Sequence, residues 1–350
     1  MRKIALIDIG KLELRENCES VEKRPETVKV DVSACGICGS DLALLNGRRS
    51  IANEHYFGHE FSGVITEAGE GFNGLKPGMR VATELVKTCG QCWHCLNGLP
   101  NYCVGLNETL LPGGFASETL VLNTSSYSFL SPIPSNIDDI TATLLEPTNC
   151  AFHVAKRANI QPEETVLILG LGTIGIITSQ ILKSFGAGVI IGTDKNKIRL
   201  DSIKRTGLLD FIDRNDTNWL EQIIEAVGAK GVDVVVEITG APSALEDAFL
   251  AVRPGGRIVV GSVYHGHIDR FEPLPIMRKE LTIIGSKGPF PHVKTNGSSA
   301  VVDVLAKLQT NLKKIITVYE YKDSIKAFED FASGSVIKPV ISFNNCNHLL

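Results

Sequence analysis

Val166-Leu-Ile-Leu-Gly170-Leu-Gly172-Thr-Ile-Gly175 is the stretch on which the fold turns. Four apolar residues closed by a glycine make a short strand buried on both faces, the kind found inside a parallel sheet. Glycines 170, 172 and 175 then form G-x-G-x-x-G, and the pattern from about Ile174 to Phe185 is helical. A second strand starts at Val189-Ile-Ile and runs to Asp194, about twenty residues past the glycines.

Strand, glycine turn, helix, strand and acid occur here in the order a dinucleotide site needs. The first glycine permits the tight turn. The second lets backbone approach a pyrophosphate at the helix N-terminus, and the third lets helix pack on strand. Gly170, Gly172, Thr173, Ile174 and Gly175 are therefore candidate cofactor contacts. Asp194 is placed to accept hydrogen bonds from ribose hydroxyls, and its charge repels a 2′-phosphate. NAD is favoured over NADP, with Lys195 and Arg199 pulling the other way because a cation accommodates that phosphate. The competing reading is a glycine turn in an α/β protein that binds no nucleotide, and the flanking strand and acid weigh against it.

Working outward, strand signals recur at Phe211-Ile, Val232-Asp-Val-Val-Val, Arg257-Ile-Val-Val and Leu281-Thr-Ile-Ile. Helical patterns lie between them, about Trp219 to Ala226 and Ser243 to Val252. This alternation predicts a doubly wound parallel sheet, so the class is α/β. Upstream, to about Cys150, the chain is glycine-rich and β-like, with strand alternation at Leu12-Glu-Leu and Val28-Lys-Val-Asp-Val. Glycines 58, 63, 69, 71, 74 and 78 punctuate it, and Pro77-Gly78 reads as a turn. Downstream of about Lys287 come helices near Val301–Leu308 and Asp323–Ala332, then a strand, Lys338-Pro-Val-Ile-Ser-Phe.

With 350 residues, the chain has length for two domains. A net charge of −4 with no basic cluster argues against nucleic acid and anionic membranes as partners. No apolar run reaches the roughly 18 residues of a membrane span. The N-terminus turns acidic at once and reads as a first strand, not a signal peptide, so a cytoplasmic setting is expected. There, nine cysteines are metal ligands or free thiols before they are disulfides.

Four of them, Cys89, Cys92, Cys95 and Cys103, stand at C-x2-C-x2-C-x7-C. Four thiolates so spaced can close around one tetrahedral zinc ion and leave no place for substrate, which makes the site structural. Iron–sulfur ligation competes, but the Cys-Pro that closes the ferredoxin run is missing after Cys103. Unliganded thiols are the plain alternative. His94 reads as a solvated side chain within this lobe.

Together with this lobe and the Gly170 fingerprint, Cys35-Gly-Ile-Cys38-Gly-Ser40-Asp41, Gly58-His59-Glu60 with Gly63 beyond, and Leu145-Glu146-Pro147 occur in a distinctive order. Across essentially its whole length the chain resembles the zinc-containing medium-chain alcohol dehydrogenases, in the sorbitol/threonine/glucose dehydrogenase branch. The resemblance implies a GroES-like catalytic domain over 1–147 and 287–350, and an NAD-binding Rossmann domain over 148–286, with the active site in the cleft between them. It implies two zinc ions per subunit. Cys38 and His59 would be ligands of the catalytic one, Glu146 would replace the cysteine ligand of the alcohol dehydrogenase branch, and Glu60 would be a further ligand or a close neighbour. Ser40 would hydrogen-bond the substrate oxygen and start proton removal. Arg199 joins Asp194 on the cofactor side. A small alcohol or ketone is the implied substrate, and a homodimer or homotetramer the implied assembly.

Chemistry supports the metal part. A hydride can leave an alcohol only if the hydroxyl proton leaves too, and zinc with an open position lowers the pKa of a bound oxygen. Carboxylate in place of thiolate makes the site harder and suits a polyhydroxylated substrate. The expectation is oxidation of a sugar, polyol, cyclitol or amino-cyclitol, or the reverse reduction. Two departures stand out. Ala43 occupies the position where relatives end a proton relay in histidine, with His55 a candidate substitute. Phe72 is larger than usual in the zinc signature. Arg48, Arg49 and Lys287 are candidate substrate contacts or solvated surface charges. The other classes weighed are a fold relative without zinc chemistry and a zinc-stapled binding module.

Overall fold

The computed structural model describes residues 1–22, 27–48, 57–69, 74–84, 91–104, 110–111, 113–122, 130–228, 230–264, 271–289 and 299–344. The chain folds as two compact units, Met1–Asn149 with Pro291–Leu350, and Cys150–Phe290.

The second unit is built on six strands, all parallel. Across the sheet they run Asp210–Asp213, Ile190–Asp194, Val166–Leu169, Val232–Glu237, Val252–Val260 and Thr282–Gly285. The chain starts at the sheet centre, winds outward one way, returns, and winds the other way, as the alternating pattern predicts. Val166–Leu169 and Val232–Glu237 are buried at every residue. That is why they read as continuous apolar runs.

Helix Thr173–Ser184 follows the first strand directly. Helices Trp219–Val227 and Pro242–Ala251 fall where the periodicity places them. Lys197–Thr206 is a helix that hydrophobic periodicity misses, since only Leu200, Ser202 and Ile203 of its ten residues are buried. Its ends are written in the sequence nonetheless. Asn196 caps it by accepting from Arg199 N–H, and Gly207 stops it in the left-handed conformation, φ 61°. Helix Leu145–Ala158 is also unanticipated, because Glu-Pro-Thr-Asn resembles a loop. Proline in a first turn needs no intrahelical partner for its missing N–H.

In the first unit the long strand Thr27–Gly36 is the hub. It pairs antiparallel with Glu60–Ala68, Glu118–Leu122 and Lys338–Ser342. Arg80–Thr83 and Leu130–Pro132 extend the sheet on one side, and Ile316–Glu320 on the other. The core below includes Val28, Val30, Cys35, Phe61, Ile65, Phe328 and Ile341. Lys3–Asp8, the expected first strand, forms a hairpin with Lys11–Arg15. The tail helices are Ala300–Leu312 and Ser324–Ser333. No helix among the described residues is long and apolar enough to cross a membrane.

A buried carboxylate pins the parallel sheet at its N-terminal edge. Asp233 accepts from Thr165 N–H and Oγ1, each at 2.8 Å, and from Arg253 Nε at 2.6 Å. Those donors sit just before one strand and within another. Burial alone would raise this acid, but the donors win and hold it far below the usual carboxylate range. A folded-state pKa below the unfolded value gives stability that is complete above about pH 4 and lost as pH falls further. Asp233→Ala should destabilise the protein by about 2 kcal/mol, as expected for losing charge-assisted hydrogen bonds. Urea unfolding at pH 7 checks the size, and the gap between variant and wild type should narrow towards pH 3.

Candidate functional site

Strand register gathers the first set of site residues. Gly36 stands opposite Glu60 on one side of the hub strand and opposite Val340 on the other. Past the strand end, Ile37 N–H still donates to the Pro339 carbonyl at 3.0 Å. Continuing both registers brings Cys38 level with the Gly58–His59 turn and with Lys338. One ligating atom from each of Cys38, His59 and Glu60 lies within 4.8 Å of the other two.

Helix Gly39–Leu45 starts at Cys38, whose N–H donates to the Asp41 carboxylate at 2.8 Å. The other Asp41 oxygen lies 3.7 Å from His59 Nδ1 and has no hydrogen-bond partner among the described residues. A carboxylate beside one ring nitrogen favours the tautomer whose other nitrogen has its lone pair free. Asp41 thus faces a prospective ligand, a contact sequence reasoning did not foresee although the residue closes the quoted motif. Ser40 hydrogen-bonds the Cys38 sulfur.

Electrostatically the cluster is incomplete as it stands. Burial, Asp41 and Glu146 push the Cys38 thiol up to about 11, so it holds its proton at neutral pH. Burial also raises Asp41, against the pull of His59 and Lys338. A divalent cation would turn this mutual repulsion into shared attraction and release the thiol proton. One sulfur, one imidazole and nearby carboxylates are donors that fit zinc. Glu146, buried in the first turn of its helix, lies outside the 4.8 Å set, yet its charge reaches Cys38.

Lys338 is the residue that sequence reasoning missed. Its ammonium is buried, donates to the Ile37 carbonyl at 3.0 Å and pairs with the Glu60 carboxylate. Burial pulls its pKa down, while Cys38, Asp41 and Cys35 oppose that. The available signal was a lysine heading a strand that is otherwise apolar, polar only at Ser342.

Three of the lobe cysteines also converge. Cys92 precedes the short helix Trp93–Leu96, Cys95 lies within it, and Cys103 follows the single turn Pro100–Tyr102. Their sulfurs lie within 4.8 Å of one another, Cys92 and Cys95 at 3.5 Å. His94 is partly buried and stacks near Tyr102, at 6.2 Å between ring centroids. Ala43 is partly buried, and Arg48 and Lys287 are exposed. Arg49, His55, Gly71, Phe72, Cys89, Glu108, His292 and Cys346 lie outside the described residues.

In the second unit, Gly170 has φ +99°, and a Cβ on it would lie 2.9 Å from Thr239. A Cβ on Gly175 would meet the Gly170 carbonyl oxygen at 2.1 Å, so helix and strand approach as the motif requires. A Cβ on Gly172 would meet nothing within 4 Å among the described residues, which leaves room for a phosphate at the N-terminus of Thr173–Ser184. Asp194, at the strand end, accepts from Leu171 N–H at 3.0 Å, Asn196 N–H at 2.8 Å and Arg199 Nη1 at 2.9 Å.

Comparison with known proteins agrees with this geometry. Residues 24–135 match the alcohol dehydrogenase GroES-like domain, and residues 173–308 match the zinc-binding dehydrogenase family. A sorbitol dehydrogenase of Halalkalibacterium halodurans is 30% identical over 335 residues, covering 92% of this chain and 95% of that one. A solved zinc-binding dehydrogenase from Sinorhizobium meliloti 1021, bound to NADP, superposes with TM-score 0.83 at 27% identity, covering 97% and 98% of the two chains. A short chain alcohol dehydrogenase from E. coli CFT073, complexed with NADH, gives 0.81 at 26%, covering 98% and 99%. The chain belongs to the zinc-binding medium-chain dehydrogenases, joining a GroES-like β domain to a six-stranded parallel Rossmann sheet, with polyol dehydrogenases among its relatives.

Proposed function

We propose that this enzyme transfers a hydride between a secondary alcohol, of the sugar, polyol, cyclitol or amino-cyclitol class, and NAD(H), using one catalytic zinc ion. The observation that carries the reading is the Cys38–His59–Glu60 cluster, whose thiol and acids call for a cation. Cys38, His59 and a carboxylate from Glu146 or Glu60 would hold zinc there, and Cys89, Cys92, Cys95 and Cys103 a second, structural one. Bound in the first cluster, zinc supplies the Lewis acidity that makes a hydroxyl proton easy to lose.

The chain's own residues would do the rest. Asp41 keeps His59 oriented, and its backbone bond from Cys38 fixes the thiol at the helix start. Ser40, which hydrogen-bonds Cys38, would receive the hydroxyl proton. Ala43 cannot pass it on, so the proton would leave through water, ribose hydroxyls or another residue such as His55. The unit containing Gly170 to Gly175 would hold the dinucleotide, with the pyrophosphate over Gly172. Asp194 would meet the ribose hydroxyls, and its carboxylate favours NAD even though Arg199 neutralises part of its charge.

The deciding experiment follows NADH absorbance with a panel of sugars, polyols, cyclitols and amino-cyclitols, with zinc content measured on the same samples. Wild type should reduce NAD⁺ with one of these classes and carry two zinc ions per chain. Cys38→Ser should lose one of them and about a thousandfold in kcat/KM, the scale of several kcal/mol of charge stabilisation. A wild type with two zincs but no substrate in the panel would redirect the search to other alcohols. Activity retained in Cys38→Ser would remove the catalytic assignment.

Cys103→Ser should lose the other zinc and melt at lower temperature, with substrate KM little changed in the fraction that remains folded. Differential scanning calorimetry with and without a chelator measures this.

Asp194→Ala should lower kcat/KM for NAD⁺ and raise it for NADP⁺, shifting the ratio by about ten- to a hundredfold, because Arg199 is then free to meet a 2′-phosphate. A wild type that prefers NADP⁺ would overturn the cofactor assignment.

A further inference from the structure

We propose that the first unit holds a binding site for a small anionic molecule, one carrying a carboxylate or phosphate group, in the cavity lined by Arg2 and the turn at Ser135. The site contains none of the residues assigned above to metal or cofactor, so it stands or falls apart from the dehydrogenase reading.

Three observations carry it. The first is space. The cavity measures about 720 Å³, and its wall includes Arg2, Ser33, Arg80, Asp138, Asp139 and Ser342. That volume suits a small metabolite better than a lone ion. Every residue of the wall belongs to the first unit, so the site is complete within it.

The second is an unspent cation. Arg80 is already matched. Its Nε and Nη2 donate to Asp139 Oδ1 at 2.9 and 2.6 Å, and Nη2 also to the Ile137 carbonyl at 2.7 Å. Asp138 pairs with Lys313 Nζ at 2.8 Å. Burial would raise Asp138, but Lys313 and the donors of Thr141 hold it below the usual carboxylate range. Arg2 differs from both. Its Nη2 donates to the Phe343 carbonyl, and among the described residues it has no carboxylate partner. Three cations, Arg2, Arg80 and Lys313, therefore stand against two acids, Asp138 and Asp139, and one positive charge is left over. A guanidinium has five N–H donors in a fork that matches two oxygens of a carboxylate or phosphate.

The third is preorganisation. Arg2 N–H donates to Ser117 Oγ at 3.0 Å, and the Arg2 carbonyl accepts from Ser117 N–H at 2.9 Å, which fixes its backbone. The guanidinium lies 5.5 Å from the centroid of the Tyr321 ring. That ring is buried, its hydroxyl bonded to the Lys3 carbonyl at 3.0 Å, and it is not part of the cavity wall. Tyr321 thus backs the guanidinium while the Phe343 carbonyl steadies one edge. A cation held this way loses little freedom when it meets an anion. Ser33, Ser135 and Ser342 add hydroxyls to the same wall for the rest of the molecule.

The test is isothermal titration of the full chain, at low salt in a phosphate-free buffer, with inorganic phosphate and separately with succinate. Wild type should bind at least one of them saturably, and which one it binds tells phosphate from carboxylate. Arg2→Met should weaken that binding by about ten- to a hundredfold, the scale of losing hydrogen bonds to a charged group. Ser135→Glu changes an exposed turn and does not depend on the arginine variant folding. It should weaken binding severalfold by setting a like charge at the cavity. No saturable binding of either anion by wild type up to about 10 mM would overturn the proposal. So would an affinity unchanged in Ser135→Glu. Binding that persists at full strength in Arg2→Met would belong to another anion site, such as a zinc ion or the turn at Gly172, and would overturn it as well.

Discussion

Strand Thr27–Gly36 is hydrogen-bonded on both sides at its C-terminal end, to Glu60–Ala68 and to Lys338–Ser342, and both registers meet at Gly36. From that arrangement follow the meeting of Cys38 with His59 and Glu60 and the arrival of Lys338 beside them. A slip of one residue in either pairing would turn each side chain to the opposite face, leaving donors that never share a site. The register has its own lock. A Cβ at Gly63 would lie 2.1 Å from the Asp31 carbonyl oxygen, so only glycine allows the two strands to close there. The pairing shifts between Val32 and Ala34, beside this contact, and the shift sets which residue of the hub strand faces Glu60.

Buried charges in the two units obey the same electrostatics with opposite outcomes. Asp233 has donors for both oxygens and is held as an anion, tying strands together. Asp41 keeps one oxygen without a hydrogen bond, and burial raises it. Cys38 beside it is raised as well. A satisfied buried acid builds structure, whereas a cluster of raised acids and thiol around an unmet oxygen is an arrangement that lacks a partner.

The strand–glycine turn–helix unit was almost fully legible. Gly170, Gly172 and Gly175 act through backbone geometry, and Asp194 comes at the end of the next strand. All of it is local in sequence, and the strand–turn–helix order is enough to place it. The lobe cysteines were legible for the same reason, since Cys92, Cys95 and Cys103 converge over twelve residues. Hydrophobic periodicity found the buried strands but missed Lys197–Thr206, where polar residues dominate and the caps alone mark the ends. It missed Leu145–Ala158 because a proline at the start imitates a loop.

By itself, then, the sequence determined the α/β class and carried the glycine fingerprint, since both rest on neighbours within a turn or a strand, while Cys38, His59 and Glu146 entered as prospective metal donors through the family resemblance. Tertiary structure alone decided how those donors are held. Asp41 acquires its role only when His59 is brought to 3.7 Å. Lys338 meets Glu60 only when a strand from the far end of the chain pairs beside Gly36. The physical reason is that burial and Coulomb energy depend on distance in space, and strand pairing between positions as far apart as Gly36 and Val340 leaves no periodic trace in the segments it joins.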